Sequence, residues 1–226
     1  MEAELRGWDL RILHAQPART AGSSRDAGAQ LLQRLTDRVH AASPTVPVNS
    51  SLAVGSATAL LLAEADTADL LVVDNRHGST SAALGLSVAD RLAGYREGAL
   101  LVVRIPGHHP RPGFSERPII VGVEQPGTLT PAARFALQEA RLRGCELIML
   151  SARHGPAPAD HTETRDGVLV HHRTTDTDPI TALTTFSHRA AALVVGRRGF
   201  GAHPVTMLGS VSRAMIHHAG CPVFLI

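Results

Sequence analysis

An α/β fold, with a parallel sheet covered by helices on both faces and present in two tandem copies, is what this 226-residue sequence predicts. Three observations carry that expectation. Short apolar runs of the buried-strand type alternate with segments of helical spacing, the order that builds parallel sheets. The chain repeats itself: Ala68-Asp69-Leu70-Leu71-Val72-Val73-Asp74 returns as Ala191-Ala192-Leu193-Val194-Val195-Gly196, and Leu100 to Ile105 returns as Cys221 to Ile226, at offsets of 122 and 121. Hydrophobic residues make up 44% and aromatic residues only 3%, which leaves a core of Leu, Val, Ile and Ala suited to helices packed on strands.

The second copy is the easier to follow. Pro118 to Glu124 is a buried-strand run closed by the turn signal Gln125-Pro126-Gly127. Thr130 before Pro131 is an N-cap and first-turn pair, Ala133, Ala136, Leu137 and Ala140 fall at helical spacing, and Gly144 stands where the helix should stop. Glu146 to Ala152 is the next strand. A loop rich in Gly and Pro follows, in which Asp160, His161 and Glu163 read as a solvated or mobile polar stretch, and Val168 to Arg173 alternates like a half-buried strand. Asp178-Pro179 opens a helix to about His188, Leu193 to Gly196 is a fourth strand, Ser210 to Ala219 a helix, and Pro222 to Ile226 a fifth strand.

The first copy enters this scheme partway. Trp8 to Ala15 corresponds to Cys145 to Ala152, so strand one and most of helix one have no counterpart. A helix with Leu31, Leu32, Leu35 and Val39 on one face, a strand near Val46 to Leu52, a helix around Ala57 to Ala65, and strands near 69–74 and 99–105 complete it. Pro106-Gly107-His108-His109-Pro110-Arg111-Pro112-Gly113 reads as a linker. The expected division is a first domain over 1–106, a linker over 107–116 and a second domain over 117–226. A missing central strand would expose unpaired backbone groups on both neighbours. Either those neighbours close up, another segment fills the gap, or the polypeptide starts upstream, since Met1 to Arg6 resembles the interior of the helix matched by Gln138 to Arg143. The upstream start is the favoured expectation.

Composition excludes several classes. The 22 basic residues, all Arg, balance 20 acidic ones to a net charge of +2 and are scattered along the chain, which argues against a nucleic-acid footprint. No apolar run nears the roughly 18 residues of a membrane helix and no secretory signal is visible, so the expected address is the cytoplasm, with no membrane partner. Cys145 and Cys221 stand in apolar surroundings without a C-x-x-C pattern and read as reduced, buried thiols. The pairs His108-His109, His171-His172 and His217-His218 have neighbours pointing apart and no accompanying ligand at useful spacing, so no metal site is expected. No G-x-S-x-G elbow or other hydrolase constellation is present.

Chemistry concentrates in one loop. Gly196-Arg197-Arg198-Gly199 follows directly on a buried strand, and Gly209-Ser210 opens the next helix. Glycines admit an anion to the backbone, and the helix N-terminus offers unpaired N–H groups and a positive dipole end. Ser210 and Ser212 add hydroxyls. In an open parallel sheet the ligand crevice lies beyond the carboxyl ends of the strands, where this loop belongs. Plain turn glycines are the alternative.

The arrangement G-x-x-G-x9-G-S, followed by a helix and the closing strand Cys-Pro-Val-Phe-Leu-Ile, resembles the ATP-binding signature of the universal stress protein family, and the resemblance extends through Ile119-Ile120-Val121-Gly122-Val123. It implies two tandem Rossmann-like domains of the adenine nucleotide alpha hydrolase type, with a five-stranded parallel sheet of order 3-2-1-4-5 in the C-terminal half and a first half lacking strand one. It implies ATP, with nucleotide-associated magnesium and no other metal. Gly196, Gly199, Gly209 and Ser210 would hold the phosphates, Val211 and Ser212 would add contacts, and Gly122, Val123 and Glu124 would line the end of the first strand. Glu124 stands where the family commonly has an Asp, and Gln125-Pro126-Gly127 replaces the usual Gly-Ser, which counts against the ribose contact. Arg198, like Arg197, either neutralises phosphate charge or is a solvated loop arginine. In the first copy Asp74 and His77 replace two glycines and Leu86 is set at the place of the third, so that half should not bind ATP.

The resemblance therefore implies an ATP-binding regulatory or stress-response protein, hydrolysing ATP slowly at most, since no general base announces itself. A scaffold of the same fold that binds no nucleotide is the alternative. The closing strands 100–105 and 222–226 are expected to pair, giving an intramolecular pseudo-dimer or a homodimer.

Overall fold

The computed structural model describes residues 2–17, 22–75, 87–95, 97–103, 116–153, 159–197 and 208–226. These form two compact units, Met1–Thr67 and Ala68–Ile226. The expected boundary at 107–116 is not where the chain divides, and residues 107–115 of that linker lie outside the described residues.

The first unit contains α1 (Glu2–Arg6), β1 (Leu10–Gln16), α2 (Gly22–Ala42), β2 (Val48–Val54) and α3 (Ala57–Ala65). Strands β1 and β2 run parallel from Leu10↔Val48 to Gln16↔Val54. They form a two-stranded sheet of their own. Leu32, Val46 and Ala65 are buried in it, and an ion pair joins Arg11 to Glu64.

The second unit holds β3 (Leu70–Asp74), α4 (Val88–Tyr95), β4 (Ala99–Val103), β5 (Ile119–Val123), α5 (Pro131–Arg143), β6 (Leu147–Ala152), β7 (His161–Arg165), β8 (Val168–Thr175), α6 (Pro179–Ser187), β9 (Ala192–Val195), α7 (Ser210–His218) and β10 (Val223–Leu225). Its strands make one mixed eight-stranded sheet of order β3-β4-β10-β9-β5-β6-β8-β7. The run from β8 to β10 is parallel throughout. Two features depart from the expected five-stranded parallel sheet. Strand β7 adds an antiparallel edge, and β4 with β3 extends the other side.

Strand β7 corrects the reading of His161 and Glu163 as loop residues, and Asp160, which is exposed, stands just before it. Asp166 and Gly167 both have positive φ, at 50° and 81°, and join Arg165 to its partner Val168 in a two-residue turn. Asp160 pairs with Arg173 at 2.9 Å and Glu163 with His172 at 3.1 Å across the hairpin. The adjacent His171 and His172 reach different carboxylates, Glu146 and Glu163.

The first copy is thus divided between the units. Among the described residues its early strands pair with each other alone, while its late strands β3 and β4 belong to the sheet of the second copy. The physical reason lies at β10: Val223↔Val102, Phe224↔Leu101 and Leu225↔Leu100 pair antiparallel, so the closing strand of one copy supplies the backbone partners of the other. Both edges of β10 are used within the chain, by β9 and β4, which leaves neither for a homodimer through this strand. The Val102↔Val223 pair joins equivalent residues of the repeat, so a pseudo-twofold axis passes through it.

The core beneath α5 takes alternate residues of the parallel strands: Ile119, Val121, Val123, Leu147, Met149 and Val194 pack on Ala132, Ala133, Ala136 and Ala140. Small helix residues let α5 approach the sheet closely. Phe224 is 1% exposed and packs on Phe135 with ring centroids 5.1 Å apart.

Candidate phosphate-binding site

Strand β5 carries its register to β9 as Ile119↔Ala192 and Val121↔Val194, and continuing it by two residues brings Val123 level with Gly196. The chain leaves β5 for α5 and leaves β9 for α7, and β6 and β10 lie on opposite sides of the β5/β9 pair. This is the switch point at which open parallel sheets place ligands.

The two ends of the glycine-rich loop are pinned together at this point. The Gly209 N–H donates to the Arg197 carbonyl at 2.8 Å, and the buried Ser212 hydroxyl donates to the Gly196 carbonyl at 2.6 Å. Arg198 and Gly199 lie outside the described residues.

Three N-caps of the second unit share one backbone conformation and differ in what fills it. Thr130 (φ −65°, ψ 165°) accepts from the Ala133 N–H, and Asp178 (φ −64°, ψ 149°) accepts from the Ile180 and Thr181 N–H groups. Gly209 has φ −60° and ψ 151°, angles open to any of the usual capping residues, and caps nothing. The backbone therefore does not require glycine here. The first intrahelical bond of α7 runs from the Arg213 N–H to the Gly209 carbonyl, so the Ser210, Val211 and Ser212 amides have no acceptor in the helix. An anion placed there would meet three donors and the positive end of the helix.

The corresponding helix of the first copy is closed from inside. Helices α4 and α7 start at Val88 and Ser210, so Ser87 is the counterpart of Gly209, correcting the placement of Leu86 there; Leu86 itself lies outside the described residues, as do residues 76–80 with His77. By the same offset Asp90 replaces Ser212. The Ser87 N–H and hydroxyl donate to Asp90 Oδ2 at 2.9 and 2.7 Å, the Asp90 N–H donates to Ser87 Oγ at 3.1 Å, and His217 Nε2 lies 3.0 Å from Asp90 Oδ1. This is a reciprocal capping box with a carboxylate in the anion's place. Burial pushes the Asp90 carboxyl up, but its bonds from Ser87 and the neighbouring His217 outweigh that and hold it below its ordinary value.

Other residues singled out in the sequence have different surroundings from those expected. Gly122 faces α6: a Cβ there would stand 3.2 Å from the Leu183 side chain, so packing accounts for the glycine. The Val123 side chain is buried in the core under α5. Glu124 is exposed at the end of β5, and its carbonyl accepts from the Ser151 hydroxyl at 3.2 Å. Ser210 is exposed and Val211 half-buried at the start of α7. The Ser212 hydroxyl spends its proton on Gly196, so it fixes the loop and does not donate outward. Arg197 is neither a solvated residue nor turned to an anion. Its guanidinium donates to the Ala93 carbonyl at 2.8 Å and to the Gly98 carbonyl.

Among the described residues, no helix is long and apolar enough to cross a membrane, and no group of three His, Cys, Asp or Glu residues could hold a metal. Residues 159–226 match the sequence profile of the universal stress protein family. Two curated relatives, universal stress proteins of Mycobacterium tuberculosis and Mycobacterium bovis, are each 29% identical over 177 residues, covering 66% of this chain and 55% of their own length. The chain thus spans about half the length of the curated relatives it matches. Among solved structures, a universal stress protein from Archaeoglobus fulgidus superposes with a TM-score of 0.70 at 14% identity, over 99% of this chain and 88% of that one. A putative universal stress protein from Pseudomonas aeruginosa superposes at 0.65, also at 14% identity, over 99% and 84%. At that identity the likeness concerns the fold.

Proposed function

We propose that the chain is a member of the universal stress protein family, on its match to that family and its relatives, with a stress-response role, and that its second copy binds an adenine nucleotide, with the bound state regulating the protein's shape or contacts. We read β5, β6, β8, β9 and β10 as the first to fifth strands of the family's sheet, which puts them in the order 3-2-1-4-5. Strands β3 and β4 are then the late strands of a degenerate first copy, and the β4/β10 seam is the family's dimer contact made within one chain. A cytoplasmic site of action fits this reading.

The observation that carries the proposal is the bare N-terminus of α7. Its cap has the backbone of Thr130 and Asp178 but no side chain, and it is held against the carboxyl end of β9 by the Gly209–Arg197 and Ser212–Gly196 bonds. A triphosphate would take the Ser210, Val211 and Ser212 amides together with Gly196 and Gly199, and Arg198 would balance its charge. The magnesium would come with the nucleotide. Glu124, at the end of β5, is the carboxylate that would meet the ribose. No residue here is assigned as a base for hydrolysis.

Gly209→Val tests this by titration calorimetry with magnesium ATP. The branched Cβ occupies the space beside the amides while its φ stays allowed, so binding should vanish with the fold retained. Wild-type affinity in the variant would place the phosphates elsewhere. One observation favours a scaffold that binds no nucleotide: Glu124 with Gln125-Pro126-Gly127 departs from the family's Asp and Gly-Ser. That reading predicts no saturable heat in the wild type.

A further inference from the structure

Arg197 occupies a junction that the nucleotide reading does not use. Its N–H donates to the Ile226 carbonyl at 2.9 Å, beyond β10, and its carbonyl holds the Gly209 N–H at the start of α7. Its guanidinium crosses to the first copy, donating to Ala93 in the last turn of α4 and to Gly98 just before β4. The Ala93 carbonyl is one of those a helix end leaves without an intrahelical donor, and a cation is favoured there. One residue therefore ties the loop, the helix start and the α4–β4 segment.

The pseudo-twofold axis gives this tie a counterpart. Asn75, at the repeat offset from Arg197, donates through Nδ2 to the Ile216 carbonyl in α7 at 2.6 Å. In each copy a residue just after the fourth strand reaches one carbonyl of the other copy's last helix, and Arg197 reaches Gly98 beyond it as well. The arms differ in length: the Asn reaches one carbonyl and the Arg reaches two.

We propose that Arg197 transmits occupancy of the second-copy site to the α4–β4 segment of the first copy, so that a bound nucleotide stiffens residues 88–103. The proposal rests on the nucleotide reading above. Phosphate contact draws Gly196 and the α7 amides together, and the peptide that carries Arg197 is bonded to both ends of that contact. Its guanidinium is held on two carbonyls, so any restraint placed on that peptide is passed to Ala93 and Gly98.

The experiment is hydrogen exchange of the full chain with and without magnesium ATP, in the wild type and in Arg197→Met, which keeps the aliphatic stem and loses the donors. Equilibrium dialysis is run on both, and thermal melting confirms that the variant is folded. The expected result is unchanged ATP affinity in both proteins, with exchange in 88–103 slowed about fivefold or more by ATP in the wild type alone, the usual lower end of a coupling between sites. Two results overturn the coupling while leaving the nucleotide reading intact: ATP binds the wild type without slowing 88–103, or the variant shows the same slowing. Lost affinity in the variant would make Arg197 a ligand contact and also overturn it. Absence of ATP binding by the wild type removes both readings, and the dialysis tells that case from the others.

Discussion

Replacing Asp90 by Asn removes one charge from the capping box of α4 with almost no change of shape. The Asp90 side chain is 2% exposed and its two oxygens accept from the Ser87 amide, the Ser87 hydroxyl and His217 Nε2 at 2.9, 2.7 and 3.0 Å. Hydrogen bonds to a charged acceptor contribute about 1.5–3 kcal/mol and neutral ones about 0.5–1.5, so downgrading the two from Ser87 should cost roughly 2–3 kcal/mol. The pH dependence follows from the lowered carboxyl. Stability gained from a depressed carboxylate is full above its unfolded value, 3.8, and is lost as pH falls through the lower folded value. The wild-type advantage should therefore be present above about pH 4 and shrink below it. Urea unfolding followed by far-ultraviolet circular dichroism measures it, with a midpoint shift of about 1 M at neutral pH and an unchanged slope. A loss below about 0.5 kcal/mol, the size of an ordinary surface change, or a difference that persists undiminished at pH 3, would refute the claim that this carboxylate closes the helix.

Further outcomes concern the seam, the thiols and the divided first copy. Phe224→Ala removes a ring that is 1% exposed and packed at a tilt on Phe135, and should cost about 3–5 kcal/mol in denaturant unfolding, with aggregation as the β4/β10 pair loosens. Burial pushes the Cys221 thiol up to about 12 and also raises the half-buried Cys145, so a thiol reagent at pH 8 should modify Cys221 only as the protein unfolds; prompt labelling of Cys221 in the native chain would contradict the packing just before β10. Amide exchange should be faster in β1 and β2, a two-stranded sheet, than in β4 and β5, which lie inside an eight-stranded one. Equal protection would show that the first unit has support from another source.

What could be read from the sequence was what local chemistry decides. Thr130-Pro131, Gly144 and Asp178-Pro179 act within one helical turn, and each stands where a helix begins or ends. The β7 strand escaped because His161 to Arg165 is polar on both faces, although Asp166-Gly167 was a hairpin signal in plain view. Ser87 and Asp90 likewise had the spacing of a capping box, but attention to glycine replacement put the closure on Asp74 and His77. The role of Arg197 joins residues 104 and 99 positions apart, and no local pattern announces such a contact. Gly122 looked like a ligand position because family motifs preserve small residues for two reasons, and only the neighbouring Leu183 shows that packing suffices here. The division after Thr67 was hidden by treating each copy as a folding unit. Backbone pairing at β10 decides otherwise, because β4 has a partner there and, among the described residues, the early strands have only each other.

Equilibrium dialysis of the wild-type chain against labelled magnesium ATP tests the central claim most directly. The bare α7 end and the carboxylate-filled α4 end together predict saturable binding below millimolar, one nucleotide per chain, abolished by Gly209→Val and untouched by Asp90→Asn. No saturable binding, or two nucleotides per chain, would contradict the assignment of one open and one closed site.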